Sequence, residues 1–279
     1  MNTKLYQTHG DHIEAIMPTS VFMKDYLQRV LSDSKVYRKV RTVVSTDEIS
    51  SEKTDVVSLL YGQGNMGMLS LIAYSPQKES NLFMSTYPLL KGKSIQVRID
   101  DVLEWDNGIE ATICCSVGDF RFAFFAMDYY ENKKSYVAGD SLSMDVSALG
   151  CKVKEASRGF SFEGQQAVDW LAKIGQKPDI DQSGNIQPVK FSTEKLVAFL
   201  NHDERCPDEA EFQSPITSIS STLLLDVDFY LAEMTIFRNE DGIEINIPLY
   251  FRRDMFPTIK ENDPVSGWIW VLGQLTTNE

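Results

Sequence analysis

The chain has 279 residues, 43% of them hydrophobic and 24% charged, which excludes a disordered polymer and supplies apolar surface for one large domain or two ordinary ones. A formal net charge of −13 opposes nucleic-acid phosphate as the main partner and favours a basic macromolecule met by electrostatic steering. Four cysteines without CxxC spacing (114, 115, 151 and 206) read as reduced structural thiols, and no apolar run reaches the roughly 18 residues of a membrane span.

In chain order, residues 1–17 read as irregular. Thr19 or Ser20 caps a helix to about residue 31, with Met23, Tyr26, Leu27, Val30 and Leu31 on one face. A strand over 36–44 comes next, and the basic cluster Lys35, Arg38, Lys39 and Arg41 alternates onto its two faces. After a polar linker (45–54), a hairpin joins 55–61 to 68–74 around a glycine-rich turn, and 81–87 adds a strand.

Residues 94–128 carry the strongest pattern. Ile95, Val97, Ile99, Leu103 and Trp105 fall on alternate positions of one stretch, and Ile109, Ala111, Ile113, Cys115 and Val117 on alternate positions of the next. Period two marks half-buried strands. A three-residue loop, Asp106-Asn107-Gly108, sets Trp105 opposite Ile109 and Leu103 opposite Ala111. A two-residue turn at Gly118-Asp119 sets Val117 opposite Phe120, Cys115 opposite Phe122 and Ile113 opposite Phe124. Asp101 falls on the apolar face, so a bulge or a buried carboxylate is expected there.

Beyond a polar connection (129–138), a strand places Leu142, Met144, Val146 and Ala148 on one side. A helix over 165–174 turns Ala167, Val168, Leu171 and Ile174 to one face. A second, starting near Ser192 with Glu194 at its third position, turns Leu196, Val197, Phe199 and Leu200 to the core. A ribbon of 223–237 and 243–251 pairs Ile236 with Ile243, Met234 with Ile245 and Ala232 with Ile247, and 267–275 closes the chain with Trp268 and Trp270. No fixed-period repeat is found. The expected fold is β-rich α+β: an antiparallel meander and long ribbon forming an OB-like or Greek-key barrel, with a helical insertion at about 160–205. The chain divides at 155/156 into 1–155 and 156–279, or forms one continuous domain.

Motifs add little chemistry. Gly139-Asp140-Ser141-Leu142 resembles the nucleophile block of GDSL-type hydrolases, which implies an esterase with Ser141 as nucleophile. That family needs Asp-x-x-His near its end; here the downstream histidine is His202, with Phe199 in the aspartate's place. A Gly-Asp turn entering a strand is the reading adopted. Gly62-x-Gly64-x-x-Gly67 spells a dinucleotide fingerprint, but 68–74 is too short for the helix that would hold a pyrophosphate. Asp179, Asp181, Ser183 and Asn185 have the spacing of the first EF-hand ligands, with Gly184 at the turn, and so form a calcium candidate. Position 12 is Lys190; the alternative is a loop closed by local side-chain hydrogen bonds. His9-x-x-His12 is a zinc candidate with Asp11, against mobile terminal histidines.

The expected function is a cytoplasmic, non-enzymatic binding protein for a basic macromolecular partner, of an antidote or immunity type, without membrane contact. The alternative is single-stranded nucleic-acid binding through exposed Phe125, Tyr129, Tyr130 and Tyr136 beside Lys133 and Lys134. Ester hydrolysis comes third. No cofactor beyond calcium is expected.

Overall fold

Strands occupy 57% of the chain and helix 15%, as the alternating patterns require. The structure, a computed structural model, describes residues 9–46, 49, 52–75, 78–201 and 207–277, with no side chains for residues 10, 11 and 52. A short helix α1 (Gly10–Ile13) is followed by α2 (Thr19–Val21), a π-helical stretch (Phe22–Tyr26) and α3 (Leu27–Asp33), which run on without interruption. Pro18 stands at the N-cap in place of the expected Thr or Ser. The wider π turn rotates the buried face. Val30 is fully buried and Tyr26 and Leu27 pack against the same core as expected, but Met23 is exposed and Phe22 is buried in its place.

β1 (Lys35–Val44), β2 (Glu52–Gln63), β3 (Met66–Ser75) and β4 (Ser80–Leu90) make a four-stranded antiparallel sheet in sequence order. β2 takes in residues expected in the linker. A larger sheet begins with β5 (Lys93–Glu104), β6 (Ala111–Val117) and β7 (Phe120–Ala126). The β6–β7 register is the expected one, with Val117 opposite Phe120, Cys115 opposite Phe122 and Ile113 opposite Phe124. The β5–β6 register is not. Leu103 faces Thr112, and Trp105 N donates to Glu110 O at 2.9 Å, so the loop has four residues. Asn107 Oδ1 decides this by accepting from the N–H groups of both Ile109 and Glu110. The anticipated bulge falls between Ile99 and Asp101. It reverses the facing of the rest of β5, so Val97 and Ile99 join one core and Trp105 another.

Next come α4 (Tyr129–Asn132) and the long β8 (Ser141–Glu155). An excursion holds β9 (Gly159–Phe162), α5 (Gly164–Lys173), β10 (Val189–Ser192) and β11 (Ala198–Asn201). The second expected helix is therefore strand. Pairing β10 with β9 stacks Phe191 on Phe160 at 4.9 Å and packs Trp170 edge-on against it, burying aromatic area that an isolated helix would leave outside. Glu194 bonds Arg158 instead of capping a helix. The chain ends in β12 (Glu209–Leu224), β13 (Val227–Arg238), β14 (Glu244–Arg252) and β15 (Pro264–Leu275). In the β13–β14 ribbon Met234 faces Ile247 and Ala232 faces Leu249. The turn leaves Arg238 opposite Glu244, three residues out of the expected register, and a bulge between Thr235 and Phe237 takes back one, so the ribbon is shifted by two.

The strand order β5-β6-β7-β15-β8 returns to β5, and β12-β13-β14-β8-β15 returns to β12. Two barrel-like rings thus share the antiparallel β8/β15 ribbon. Each has the same path: a three-strand meander, a short helix and a long strand. In each, the third strand lies parallel to the other ring's long strand, Phe125 opposite Leu272 and Leu249 opposite Ala148. Local details repeat. Ile99 N donates to Asp140 O while Gly139 N donates to Ile99 O; Ile216 N donates to Asp263 O while Asn262 N donates to Ile216 O. Gly139 and Asn262 both have positive φ, at 96° and 70°, and a bulge comes after both isoleucines. Unequal loops change the spacing between equivalent residues from strand to strand, so the duplication has no fixed period in the sequence. The 155/156 boundary falls at the end of β8, and the shared ribbon joins both parts in one sheet.

The first core lies inside the rings, with Ile113, Phe124, Val146 and Ile247 fully buried and Ile95 and Phe122 beside them, and Tyr129, Tyr136 and Ile259 from the connections close it. The second lies between the larger sheet, the four-stranded sheet and the N-terminal helices. Leu224 and Leu225, at the tip of the β12–β13 hairpin, belong to it.

Candidate functional site

The second core holds polar chemistry. His9 and His12 flank a single helical turn and so face the same side. Both are buried. His9 Nε2 lies 2.7 Å from Glu110 Oε1, and His12 Nε2 lies 2.6 Å from Glu209 Oε1. His12 stacks flat on Trp270 at 3.9 Å, and Trp270 Nε1 donates to Asp208 Oδ2 at 2.8 Å. Burial pushes the Asp208 carboxyl above its ordinary range, partly opposed by His12 and the Trp270 bond. His9 packs among Trp105, Phe125 and Tyr87. The histidines are therefore fixtures of the core, not mobile terminal groups. Each goes to a different carboxylate, and no metal-type cluster of three or more His, Cys, Asp or Glu occurs among the described residues. The side chain of Asp11 lies outside them.

Glu110 is placed by its loop. The Asn107 bonds that fix four loop residues also bring Asn107 Nδ2 to donate to Glu110 Oε2. Next to this carboxylate is a cavity of about 260 Å³ between the N-terminal helical segment, β4 and the β5–β6 loop. Phe22, Met23, Phe83, Met84 and Trp105 give it apolar walls, and His9, Ser85, Asn107 and Glu110 give it a polar one. Ser85 Oγ and His9 Nδ1 are buried with no hydrogen-bond partner among the described residues. No hydroxyl or thiol among the described residues is hydrogen-bonded to either imidazole. A larger cleft of about 520 Å³, lined by Ile16, Val227, Arg252 and Arg253 among others, is open and mixes both signs of charge with Asp228 and Asp254.

The residues singled out from the sequence lie elsewhere. Asp181 Oδ1 accepts from Ser183 N and Asn185 N, and a bridge pairs Ile180 with Ile186. These backbone bonds hold the Asp181 carboxyl below its usual range. Asp179, Asp181, Ser183 and Asn185 thus sit in an exposed loop closed on itself. This loop leads into β10, and the helix expected from about residue 192 is replaced by a turn and β11.

Phe125, Tyr129, Tyr130 and Tyr136 are buried, which corrects their expected exposure. Their rings pack inward and the tyrosine hydroxyls find partners: Tyr129 donates to Glu104 at 2.8 Å, Tyr130 to Ser58 at 2.9 Å, and Tyr136 to Asp128. Lys133 pairs with Glu104, and Lys134 is exposed. No stacking platform is formed by these rings. Ser141 opens β8, opposite Arg98, and His202 lies outside the described residues. Gly62, Gly64 and Gly67 belong to the β2–β3 hairpin, with Gly64 at φ 83°.

Of the observed site, the sequence alone singled out only His9 and His12. Glu110 alternated as a strand residue, Trp105 as a core residue, and Ser85 drew no attention. No helix among the described residues is long and apolar enough to cross a membrane. No protein-family model, curated protein or solved structure matches the chain.

Proposed function

We propose that this is a non-enzymatic binding protein whose ligand seats in the cavity beside Glu110. The observation that carries this reading is the cavity's division into one polar wall and otherwise apolar walls, the usual make-up of a ligand site. Typical small-molecule pockets span roughly 300–1,000 Å³. At about 260 Å³ this one suits a fragment-sized group, free or carried by a larger partner. The N-terminal segment supplies His9, Ile13, Thr19, Phe22 and Met23 to the lining, and the two His–carboxylate bonds hold it in place. A fragment library assayed by thermal unfolding and tryptophan emission tests the reading. Binders are expected to raise the melting temperature of the wild type and to lose their effect in Met23→Trp, which narrows the cavity from an exposed position. Effects that persist in that variant count against the site.

The net charge of −13 favours a second reading, a basic macromolecular partner of the antidote or immunity type. Association with such a partner weakens steeply with added salt; salt-independent association counts against it.

A further inference from the structure

We infer that the group this cavity accepts is an organic cation of side-chain size, a primary ammonium or a guanidinium on a short alkyl stem. The inference rests on the cavity being the binding site proposed above. Glu110 is only 2% exposed, and its charge is met by His9 Nε2 at 2.7 Å and by Asn107 Nδ2. A carboxylate taken out of water is costly unless a cation or enough donors replace the lost hydration. Among the described residues lining the cavity there is no lysine or arginine, so the permanent positive charge this site lacks is one a ligand can bring.

The other walls suit the same chemistry. Trp105, Phe22 and Phe83 present aromatic rings, which attract a cation within about 6 Å of their faces. Met23 and Met84 present flexible, polarizable thioethers that mould to an alkyl stem. Ser85 Oγ, buried and unpartnered, is a spare acceptor for an N–H. An anion would meet the Glu110 charge at close range. A wholly apolar guest would leave Glu110 and Ser85 further desolvated with nothing in return. The volume is too small for a nucleotide, and the acidity of the whole chain raises the local concentration of cations.

The test is calorimetric titration of the full chain with n-butylammonium, n-butylguanidinium, n-butanol and butyrate at matched ionic strength, with tryptophan emission as a second readout. The two cations are expected to bind, and the alcohol and the carboxylate to bind about tenfold more weakly or worse. Glu110→Gln is expected to lower cation affinity about tenfold. Glu244→Gln, which removes a surface carboxylate paired with Arg238 and outside the cavity lining, leaves it unchanged. Butanol or butyrate binding as tightly as the ammonium overturns the cation assignment and leaves the cavity reading standing. Silence from all four probes overturns both. Should Glu110→Gln fail to fold, the comparison of probes on the wild type decides alone.

Discussion

Replacing Gly267 with alanine tests the shared β8/β15 ribbon directly. Gly267 lies opposite Val153, and a Cβ there would stand 1.7 Å from Lys152 O, 2.8 Å from Lys152 C and 3.1 Å from Val153 Cα. All three are backbone atoms of the partner strand, so no rotamer relieves the clash. Restoring ordinary contact parts the strands by on the order of 1.5 Å, which takes neighbouring ladder bonds beyond useful length. Overpacking costs about 1–3 kcal/mol, and two ladder groups left unpaired add about 1–3 kcal/mol each. A loss of roughly 3–9 kcal/mol is therefore expected, against a total stability of about 5–15 kcal/mol for a typical domain. Gly273→Ala is the comparison. Its Cβ would meet the Phe124 ring at 2.6 Å, and a ring can tilt, so the cost is about 1–3 kcal/mol. Urea unfolding followed by tryptophan fluorescence and circular dichroism measures both. Because each ring uses both strands, the Gly267→Ala transition should stay single and move far. A variant within about 1 kcal/mol of wild type, or two separate transitions, refutes the shared spine.

Phe22→Ala should cost about 3–5 kcal/mol and Met23→Ala almost nothing, by the same urea assay; the reverse order would remove the π-helical rotation of the buried face. Burial raises the Asp128 carboxyl above its ordinary 3.8, so the folded state holds this proton more tightly than the unfolded chain does. Its contribution to stability is greatest below the unfolded value and is lost as pH rises through the raised folded value. Asp128→Asn should flatten that fall, and an unchanged slope of urea midpoint against pH contradicts the assignment. Burial also pushes the thiols up, Cys114 to about 11 and Cys151 to about 12, with Cys115 displaced the same way. Mass spectrometry after iodoacetamide treatment should find all three alkylated far more slowly in the folded chain than in urea.

The candidate site was only partly legible. His9-x-x-His12 was visible as a pair, but nothing near it in sequence named Glu110 or Glu209. Those carboxylates are more than a hundred residues away in one case and nearly two hundred in the other, one on the β5–β6 loop and one at the start of β12. The aromatic and lysine set at 125–136 misled because polarity along a strand does not say which ends are covered. Tyr129, Tyr130 and Tyr136 look like surface residues until their rings are seen to be buried and each hydroxyl to have a partner.

By itself the sequence determined the β6–β7 hairpin, the β-rich class and the inward faces of β8, because side-chain alternation is a local property with a period of two. It could not determine the four-residue β5–β6 loop or the bulge in β13. The first follows from side-chain hydrogen bonds of Asn107 that alternation does not encode, and the second inserts one unpaired residue into a strand whose faces are set by burial against distant elements. Nor could it show the duplication, since unequal loops erase any fixed spacing. Only strand pairing in space, with β8 and β15 serving both rings, reveals that one path was used twice.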